Sequence, residues 1–255
     1  MILSEYTKKI LGYSFGVDTC IMIKAVAGSG KSTNLVELSY HQHTHKQVLA
    51  NKQRLVTFSN ASSKDLQKKL NKRFKKLKRT KPPVVTTLHG LSSELIKEHF
   101  IPKLSILTQW NSIKMIRDIM EEQDFFRHLD RPTTQDKTKL AQEVYNLQDR
   151  VKVNLKEKGQ NFLDANFNIS KHFKTKTVND FNFKKILLEY NKQKIKNNLF
   201  DYSDLLFKLL FLLEKHPQKL SKVRNKIDLL MLDESQDTDI LQWSLVLLLI
   251  SHKKA

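Results

Sequence analysis

Apolar and polar segments alternate along much of the chain in the order expected when strands and helices follow one another. Short β-rich runs at residues 19–24, 55–58 and 84–87 predict three strands, and a polar-apolar segment at about residues 31–41 predicts the first helix. The continuous apolar run at residues 227–232 predicts a strand that is buried on both faces. Strands that alternate with helices in this way predict an α/β fold with a parallel sheet.

The pattern changes in the middle of the chain. Strand-like runs are missing from residues 100–199, where apolar positions at helical spacing appear instead: Ile113, Ile116, Ile119, Met120, Leu140, Val144, Leu147, Ile186, Leu187, Tyr190 and Ile195. Residues 202–213 and 240–250 then form two strongly apolar predicted helices. We therefore predict an α/β domain made of residues 1–99 and 200–255, interrupted by a helical insertion at residues 100–199.

Positive charge changes this picture by indicating a partner. The formal net charge is +19, from 45 Lys and Arg against 26 Asp and Glu. Such a surplus favours nucleic acid, an acidic membrane or an acidic protein as partner, and a lysine-rich solvated surface is the alternative. The densest cationic segment is residues 64–81, which begins in a predicted helix that Ser62 or Ser63 can cap and that has Leu66 and Leu70 on one face. Phosphates neutralised there would give binding a steep salt dependence, while an ordinary solvated helix face is again the alternative.

Cysteine usage and hydropathy limit where the protein works. Cys20 is the single cysteine, which excludes an intramolecular disulfide and a cysteine zinc cluster. Residues 1–9 lack an apolar secretory segment, and the longest apolar run, residues 245–250, is too short to cross a bilayer. We expect no membrane association and a cytoplasmic or other reducing intracellular setting.

Three histidines alternate in a segment that the pattern places between a helix and a strand. In an extended chain His41, His43 and His45 would share one face and could bind a metal. A polar linker without an ordered set of supporting side chains is the preferred interpretation.

A glycine-containing loop follows the first predicted strand and precedes the first predicted helix. Its backbone N–H groups can wrap a β-phosphate, which requires little side-chain bulk at Gly28 and Gly30. Lys31 would reach the β- and γ-phosphates, Ser32 would hold Mg²⁺, and the helix N-terminus would attract the anion. The pattern predicts a Walker A loop with these nucleotide-binding residues: Ala25, Val26, Ala27, Gly28, Ser29, Gly30, Lys31, Ser32 and Thr33.

Paired carboxylates directly follow the buried strand at residues 227–232. The carboxyl ends of parallel strands are where α/β sheets bind ligands. Asp233 can hold Mg²⁺, and Glu234 can accept the proton of an attacking water. An acidic loop that caps the next helix through Asp237 or Thr238 is the alternative. Together with the phosphate loop, this pair predicts a nucleotide-hydrolysing site.

Five motifs in a fixed order resemble those of superfamily 1 DNA helicases of the UvrD/Rep/PcrA/RecB type. The phosphate loop at residues 25–32 matches A-x-A-G-[ST]-G-K-[ST], which explains alanine at its first position. Residues 57–63 match the T-F-T-N-x-A-A motif, and residues 87–90 match T-x-H-[GS]. Residues 201–206 match [DV]-[FY]-x-D-L-L, and residues 233–237 match D-E-x-Q-D. The resemblance covers nearly the whole chain, with the helical segment alike in position and character.

This resemblance implies a RecA-like P-loop domain 1A interrupted by a helical domain 1B, and ATP-driven, Mg²⁺-dependent movement along single-stranded DNA. It implies that Phe58, Asn60 and His89 lie on the floor of the strand's channel, where an aromatic face stacks on bases and polar groups donate to phosphate or sugar. A core aromatic and two capping residues are the alternatives. It also implies that Gln236 senses the γ-phosphate, that lysines of the insertion grip the duplex ahead of the fork at a DNA junction, and that DNA repair is the setting.

Two departures from the family pattern affect these expectations. The family has an adenine-reading glutamine upstream of the phosphate loop, whereas no glutamine precedes Gln42 here. Motif III and the second RecA-like domain, whose arginine fingers accelerate hydrolysis, do not occur in the 255 residues, so we expect nucleotide binding with slow turnover. Three hypotheses stay open: a separate chain supplies the second motor domain, the chain is a truncated remnant, or it is a non-catalytic nucleotide- and DNA-binding module.

Overall fold

The computed structural model describes residues 5–12, 30–157 and 180–251. The predicted strand at residues 19–24 and the loop residues Ala25, Val26, Ala27, Gly28 and Ser29 lie outside these ranges. The chain divides into two compact units, one made of Met1–Leu95 and Leu210–Ala255 and the other of Ile96–Leu209. We call them the first and the second unit.

Helices and short parallel strands make up the described residues. The helices are α1 (Glu5–Gly12), α2 (Lys31–His45), α3 (Asn60–Phe74), α4 (Leu88–His99), α5 (Gln109–Glu122), α6 (Thr134–Glu157), α7 (Asp180–Lys196), α8 (Tyr202–Lys215), α9 (Pro217–Arg224) and α10 (Ile240–Ile250). The strands are β1 (Gln53–Thr57), β2 (Val84–Thr87), β3 (Ser105–Ile106), β4 (Leu199–Phe200) and β5 (Leu229–Leu232). Short 3₁₀ turns cover Ala50–Lys52, Phe125–His128 and Ser235–Asp237.

A parallel sheet of order β2-β1-β5 forms the described sheet of the first unit. Leu55 of the central strand β1 lies opposite Val85 on one side and Met231 on the other, and it is fully buried. The predicted α/β class with a parallel sheet is therefore confirmed. Strand β5 begins two residues later than predicted because the N–H of Ile227 bonds to the carbonyl of Arg224 in the turn that ends α9.

Two helices of the first unit pack on this sheet, and each differs in one detail from the prediction. The predicted helix at 31–41 is confirmed, but α2 continues to His45. In α3 the predicted core positions Leu66 and Leu70 are buried. The cap predicted at Ser62 or Ser63 is wrong, because Ser59 holds the extended cap position and its hydroxyl accepts a bond from the N–H of Ser62. The unit's core contains Ile10, Leu11, Val36, Leu38, Ala50, Leu55, Leu66, Leu70, Phe74, Leu229 and Met231.

The second unit is built mainly from α5, α6 and α7, and its core confirms most of the predicted helical faces. The prediction for Ile195 is wrong, since its side chain is 71% exposed. It follows Ile186 by nine residues, about two and a half turns, and so points to the opposite side of α7. The segment also contains a short parallel pair, β3 with β4, where no strand was predicted. Whether this unit corresponds to the helical domain 1B of the family stays a prediction.

A buried network of charged and polar side chains joins α6, α7 and the start of α8 within the second unit. Lys194 donates to Asp201 at 2.8 Å and to Asp204 at 2.6 Å, and both the lysine and Asp201 are almost fully buried. Tyr190 and Gln148 donate to the same oxygen of Asp201 at 2.9 and 3.2 Å. Burial, followed by the negative charge of Asp201, raises the pKa of Tyr190, which keeps it a hydrogen-bond donor. The network satisfies both carboxylates where the chain turns into α8.

The two strongly apolar helices predicted at 202–213 and 240–250 are confirmed as α8 and α10. Neither they nor any other helix in the described ranges combines the length and the apolar character needed to cross a bilayer.

Candidate functional site

The carboxyl ends of β1, β2 and β5 meet at one edge of the sheet in the first unit, as parallel strands require. A cleft with a volume of about 130 Å³ opens along this edge. Its lining consists of Thr57, Phe58, Leu88, His89, Leu232, Asp233, Glu234, Thr238 and Gln242. The edge therefore joins two residues predicted to bind DNA, Phe58 and His89, to the predicted acidic pair. Ligand sites of α/β sheets lie at this edge.

Lys31 begins α2 beside this cleft. The preceding Gly30 has a φ of 81°, in the left-handed region that favours glycine. Its carbonyl accepts the first bond of the helix, from the N–H of Asn34 at 2.9 Å. Ser32 is half-buried and Thr33 is exposed in the first turn. The glycine thus lets the chain turn sharply into a helix whose N-terminal N–H groups attract anions.

The side chains of Lys31 and Glu234, 203 positions apart in the chain, form an ion pair, with Nζ 3.1 Å from Oε2. Glu234 has a φ of 54°, which is uncommon for a residue with a side chain. Gln236 donates to the same Oε2 at 2.5 Å. This bond, followed by the bond and the charge of Lys31, lowers the pKa of Glu234. The carboxylate is therefore ionised at neutral pH and held toward the start of α2.

Asp233 extends the sheet by one residue beyond β5. Its N–H donates to the carbonyl of Val56 in β1 at 2.8 Å, and its Oδ1 accepts the N–H of Glu234 at 3.1 Å. Burial, followed by the charge of Glu234, raises the pKa of Asp233, while Lys31 and Lys69 oppose the shift. The nearby lysines do not fully compensate the negative charge of this buried carboxylate. A bound cation would supply the missing positive charge.

No three His, Cys, Asp or Glu side chains in the described ranges form a cluster that would bind a metal without other ligands. A nucleotide-bound Mg²⁺ does not require one, because it is usually held by one or two carboxylates, phosphate oxygens and waters. The half-buried hydroxyl residue Ser32 and the carboxylate of Asp233 are the predicted protein ligands. Ser32 directly follows Lys31 and Asp233 directly precedes Glu234, so the ion pair between Lys31 and Glu234 brings their two segments together. The residues present therefore fit such an ion.

The three predicted DNA-contacting residues differ in their surroundings. Phe58 directly follows β1 and is 60% exposed, which excludes the alternative of a core aromatic. His89 lies in the first turn of α4 and lines the cleft. Burial lowers its pKa, with Asp239 opposing, so the ring is neutral at neutral pH and keeps one N–H donor. Asn60 is the exposed first residue of α3 and is not part of the cleft lining.

Sequence reasoning missed the far wall of the cleft, which Thr238 and Gln242 form. The helix cap predicted at Asp237 or Thr238 is instead Asp239, whose carboxylate accepts the N–H of Gln242 at 2.8 Å and the side-chain amide of Gln242 at 3.0 Å. Gln242 thus donates twice to the cap residue, and an aspartate directly before an apolar run was the signal for this cap in the sequence.

The metal interpretation of the three histidines fails on geometry. All three lie in α2 and not in a linker or a strand. The rings of His41 and His45 stack with centroids 4.5 Å apart, whereas His43 lies against Phe74. Helical spacing therefore sends the middle ring to a different neighbour, and the three imidazoles do not converge.

A parallel α/β unit that gathers its polar groups at the carboxyl edge of the sheet has the architecture of a RecA-like domain. Residues 11–255 match the family model of the UvrD/REP helicase N-terminal domain. The chain belongs to this family of DNA helicase domains.

Similarity to individual proteins supports the same assignment. The chain is 25% identical over 239 residues to a probable DNA helicase II homolog of Mycoplasma capricolum, covering 90% of this chain and 30% of that protein. It is 24% identical over 264 residues to the ATP-dependent DNA helicase Rep of Buchnera aphidicola subsp. Baizongia pistaciae, covering 99% and 34%. For the ATP-dependent DNA helicase srs2 of Schizosaccharomyces pombe the identity is 21% over 252 residues, covering 98% and 22%. The chain thus spans about a third or less of the length of these relatives.

Proposed function

We propose that this chain is the ATP-binding part of a DNA helicase, and that it couples ATP hydrolysis to movement along single-stranded DNA when a second RecA-like domain is present. The observation that carries the proposal is the Lys31–Glu234 pair, which lies at the same sheet edge as Phe58 and His89. Family membership supports it, and so do the relatives named as ATP-dependent DNA helicases.

The nucleotide would be held by the loop at residues 25–33 and by Lys31. When bound, ATP supplies the bond that is broken and Mg²⁺ neutralises charge on its phosphates. Lys31 would turn from Glu234 toward the phosphates, because their negative charge competes with the carboxylate for the ammonium group. Release of Lys31 leaves Glu234 ionised and able to accept a proton from water. Ser32 and Asp233 are the proposed ligands of the ion.

Gln236 is proposed to report on the nucleotide. The side-chain amide of Gln236 and the ammonium group of Lys31 both donate to Oε2 of Glu234. If Lys31 leaves, the negative charge that Gln236 contacts is no longer shared with a cation. The side chain is otherwise exposed. A glutamine in this position responds to the loss of the lysine without contacting the phosphates first.

The DNA side of the site is proposed to be the exposed face around Phe58. A base that stacks on an exposed aromatic ring contributes roughly 1–3 kcal/mol to binding. Asn60 and the neutral His89 offer donors to phosphate or sugar. The substrate class is single-stranded DNA or a DNA junction, in a compartment that contains DNA, with repair as one plausible setting. The second unit is proposed to act as the duplex-gripping domain 1B.

A second RecA-like domain, in the same protein or in a separate chain, completes the proposed motor. Arginine residues supplied across such an interface raise phosphoryl-transfer rates by roughly 10³–10⁵. The chain without that domain is therefore expected to bind ATP and turn it over slowly. The competing proposal is a non-catalytic module that binds nucleotide and DNA. ATP turnover that rises when a second RecA-like domain is supplied supports the motor, and turnover that stays absent supports the module.

Nucleotide binding by Lys31→Ala tests the proposal. Titration of the purified chain with a fluorescent ATP analogue and Mg²⁺ should show saturable binding, and the variant should lose it because no other cation replaces the ammonium group. Lys222→Ala, an exposed lysine on α9, is the matched control and should bind as the wild type does. Equal binding by Lys31→Ala and wild type would show that the phosphate-loop assignment is wrong.

A further inference from the structure

The outer face of α3 carries a row of lysines that the proposed site does not use. Lys64, Lys68, Lys72 and Lys75 follow one another at spacings of three or four residues, so they share one face of the helix and its C-cap. All four side chains are exposed. At a rise of 1.5 Å per residue the row is roughly 16 Å long. We call these four residues the lysine track.

Ion pairing separates the lysine track from the other cations of the helix. Lys69 pairs with Asp65 at 2.7 Å, and Arg73 pairs with the nearly buried Glu37 at 2.8 Å. Asp65 is the single acidic residue of α3. By contrast, no described carboxylate lies within ion-pair distance of a track lysine. Uncompensated like charges along one helix face repel one another, and a polyanion relieves that repulsion.

The track is continuous with the proposed DNA-contacting residues. It rises from the N-terminal end of α3, where Asn60 begins the helix and the exposed ring of Phe58 precedes it. A strand whose base stacks on Phe58 therefore has its next phosphates within reach of the same helix. The hydroxyls of Ser59 and Ser62 lie at this end and bond each other at 2.9 Å, and the positive charge of that face comes from the track lysines.

An anionic membrane fits this surface less well than nucleic acid does. Helices that dock on membranes present large apolar side chains beside their basic ones. In α3 the large apolar side chains, Leu66, Leu70 and Phe74, are all buried in the core of the unit. The exposed face offers charge and amides without apolar residues to insert.

We propose that the lysine track binds the sugar-phosphate backbone of the single strand that leaves Phe58. The inference rests on the proposed function and adds to it the surface that supplies electrostatic affinity. Each neutralised phosphate releases counterions, so the logarithm of the binding constant falls with the logarithm of salt concentration in proportion to the number of contacts. The track thus determines how strongly salt weakens DNA binding, whereas Phe58 contributes an affinity that salt changes little.

Binding of fluorescein-labelled oligo(dT) by the full chain, followed by anisotropy across a series of salt concentrations, tests the lysine track. The triple variant Lys64→Gln, Lys68→Gln, Lys72→Gln should reduce the slope of log K against log salt by about 2, at about 0.7 per lost contact, and lower affinity roughly tenfold to a hundredfold near 0.1 M salt. Replacing the same residues by arginine should preserve the slope. Phe58→Ala should weaken binding with the slope unchanged.

The matched control removes the same charge from another helix. Lys219→Gln, Lys222→Gln, Lys226→Gln changes three lysines on or just after α9, which precedes β5 and packs against α10. If both triple variants change the slope equally, net charge explains the effect and the track proposal is overturned. An unchanged slope in the track variant together with weaker binding by Phe58→Ala overturns the track alone and leaves the proposed function standing.

Two further outcomes separate the remaining possibilities. A wild-type chain that does not bind oligo(dT) at any salt concentration contradicts the proposed DNA function itself. Cosedimentation with phosphatidylserine vesicles that depends on the track lysines, with unchanged DNA binding, would overturn the inference in favour of a membrane. Thermal unfolding should be the same for the wild type, the track variants and Phe58→Ala, because substitutions of exposed surface residues alter stability by about 0.5 kcal/mol or less.

Discussion

Asp233 and Glu234 are neighbours in the chain, yet their carboxyl groups are shifted in opposite directions. Glu234 has two donors, from Gln236 and Lys31, which lower its pKa. Asp233 is buried beside the charge of Glu234, which raises its pKa. The first environment suits a group that must stay ionised to accept a proton, and the second suits a ligand that gains from a cation. The two environments therefore favour different roles for these neighbouring carboxyl groups.

Asp233→Asn should stabilise the nucleotide-free chain while weakening Mg²⁺-dependent nucleotide binding. A carboxyl whose folded pKa is raised opposes folding once it ionises, so the gain is present at neutral pH and disappears as the pH falls below the unfolded pKa of about 3.9. We expect roughly 0.5–2 kcal/mol, the range common for single stabilising substitutions. Urea unfolding at pH 7 and near pH 3 measures it. Asp237→Asn, an exposed neighbour, is the control, and an equal gain in both variants would contradict the account.

Glu234→Gln should retain nucleotide binding and lose hydrolysis. The amide cannot accept a proton from water, and loss of a general base typically costs 10²–10⁴ in rate. Binding should be equal or tighter, because Lys31 no longer has to leave a carboxylate. Single-turnover hydrolysis, measured with a second RecA-like domain supplied, gives the rate, and fluorescent-nucleotide titration gives the affinity. A variant that loses binding as Lys31→Ala does would show that Glu234 shapes the pocket and does not act as a base.

At the scale of elements, the start of α8 depends on the buried network around Lys194. Two carboxylates, one ammonium group, one phenol and one amide compensate one another there, as described for the second unit. Removing the single cation leaves two buried carboxylates without a counter-charge. Such a change is among the most destabilising single substitutions known for buried ion pairs.

Lys194→Ala should therefore destabilise the second unit by about 3–5 kcal/mol. Lys192→Ala is the matched control on the same helix, because its side chain is 79% exposed and its pair with Glu189, at 3.8 Å, should contribute less than about 1 kcal/mol. Hydrogen exchange of amides in α6 and α7 reports the local stability. Similar exchange rates in the two variants would mean that the network does not hold this junction together.

The periodicity of apolar residues predicted which segments form helices and strands. It did not predict which of several suitable residues caps a helix, or strands of two residues. The faces of α3 and α5 follow from apolar spacing alone, since each buries a single stripe. The cap of α3 does not, because Ser59, Ser62 and Ser63 are all suitable residues and the end of β1 decides among them. The two-residue strands β3 and β4 have too few residues to produce a pattern.

The candidate site was predictable as motifs and not as contacts. The sequence contains both Lys31 and the acidic pair in recognisable settings, but their spacing of 203 positions gives no sign of the 3.1 Å contact between Nζ of Lys31 and Oε2 of Glu234. The cap of α10 by Asp239 had a sequence signal, whereas the effect of Lys69 on Asp233 had none, since it depends on how α3 lies over the sheet.

At the scale of the whole molecule, the nucleotide and DNA sides of the proposed site share one segment of backbone within the first unit. The N–H of Asp233 bonds to Val56, and Phe58 follows two residues later in the same chain. Glu234 directly follows Asp233, so a movement of Glu234 or of its partner Lys31 can reach the end of β1, and with it Phe58, through this one hydrogen bond. We predict that the two ligands affect each other's affinity, and such coupling is reciprocal by thermodynamic linkage.

The affinity of the chain for oligo(dT), measured with and without a non-hydrolysable ATP analogue and Mg²⁺, tests this central claim most directly, because it needs no turnover. We predict a shift of roughly fivefold or more in the wild type, which corresponds to a coupling of about 1 kcal/mol, and no shift in Lys31→Ala. If the wild type binds both ligands and neither alters the affinity for the other, the ATP and DNA sites are not coupled through this edge, and the proposed motor role of the chain is contradicted.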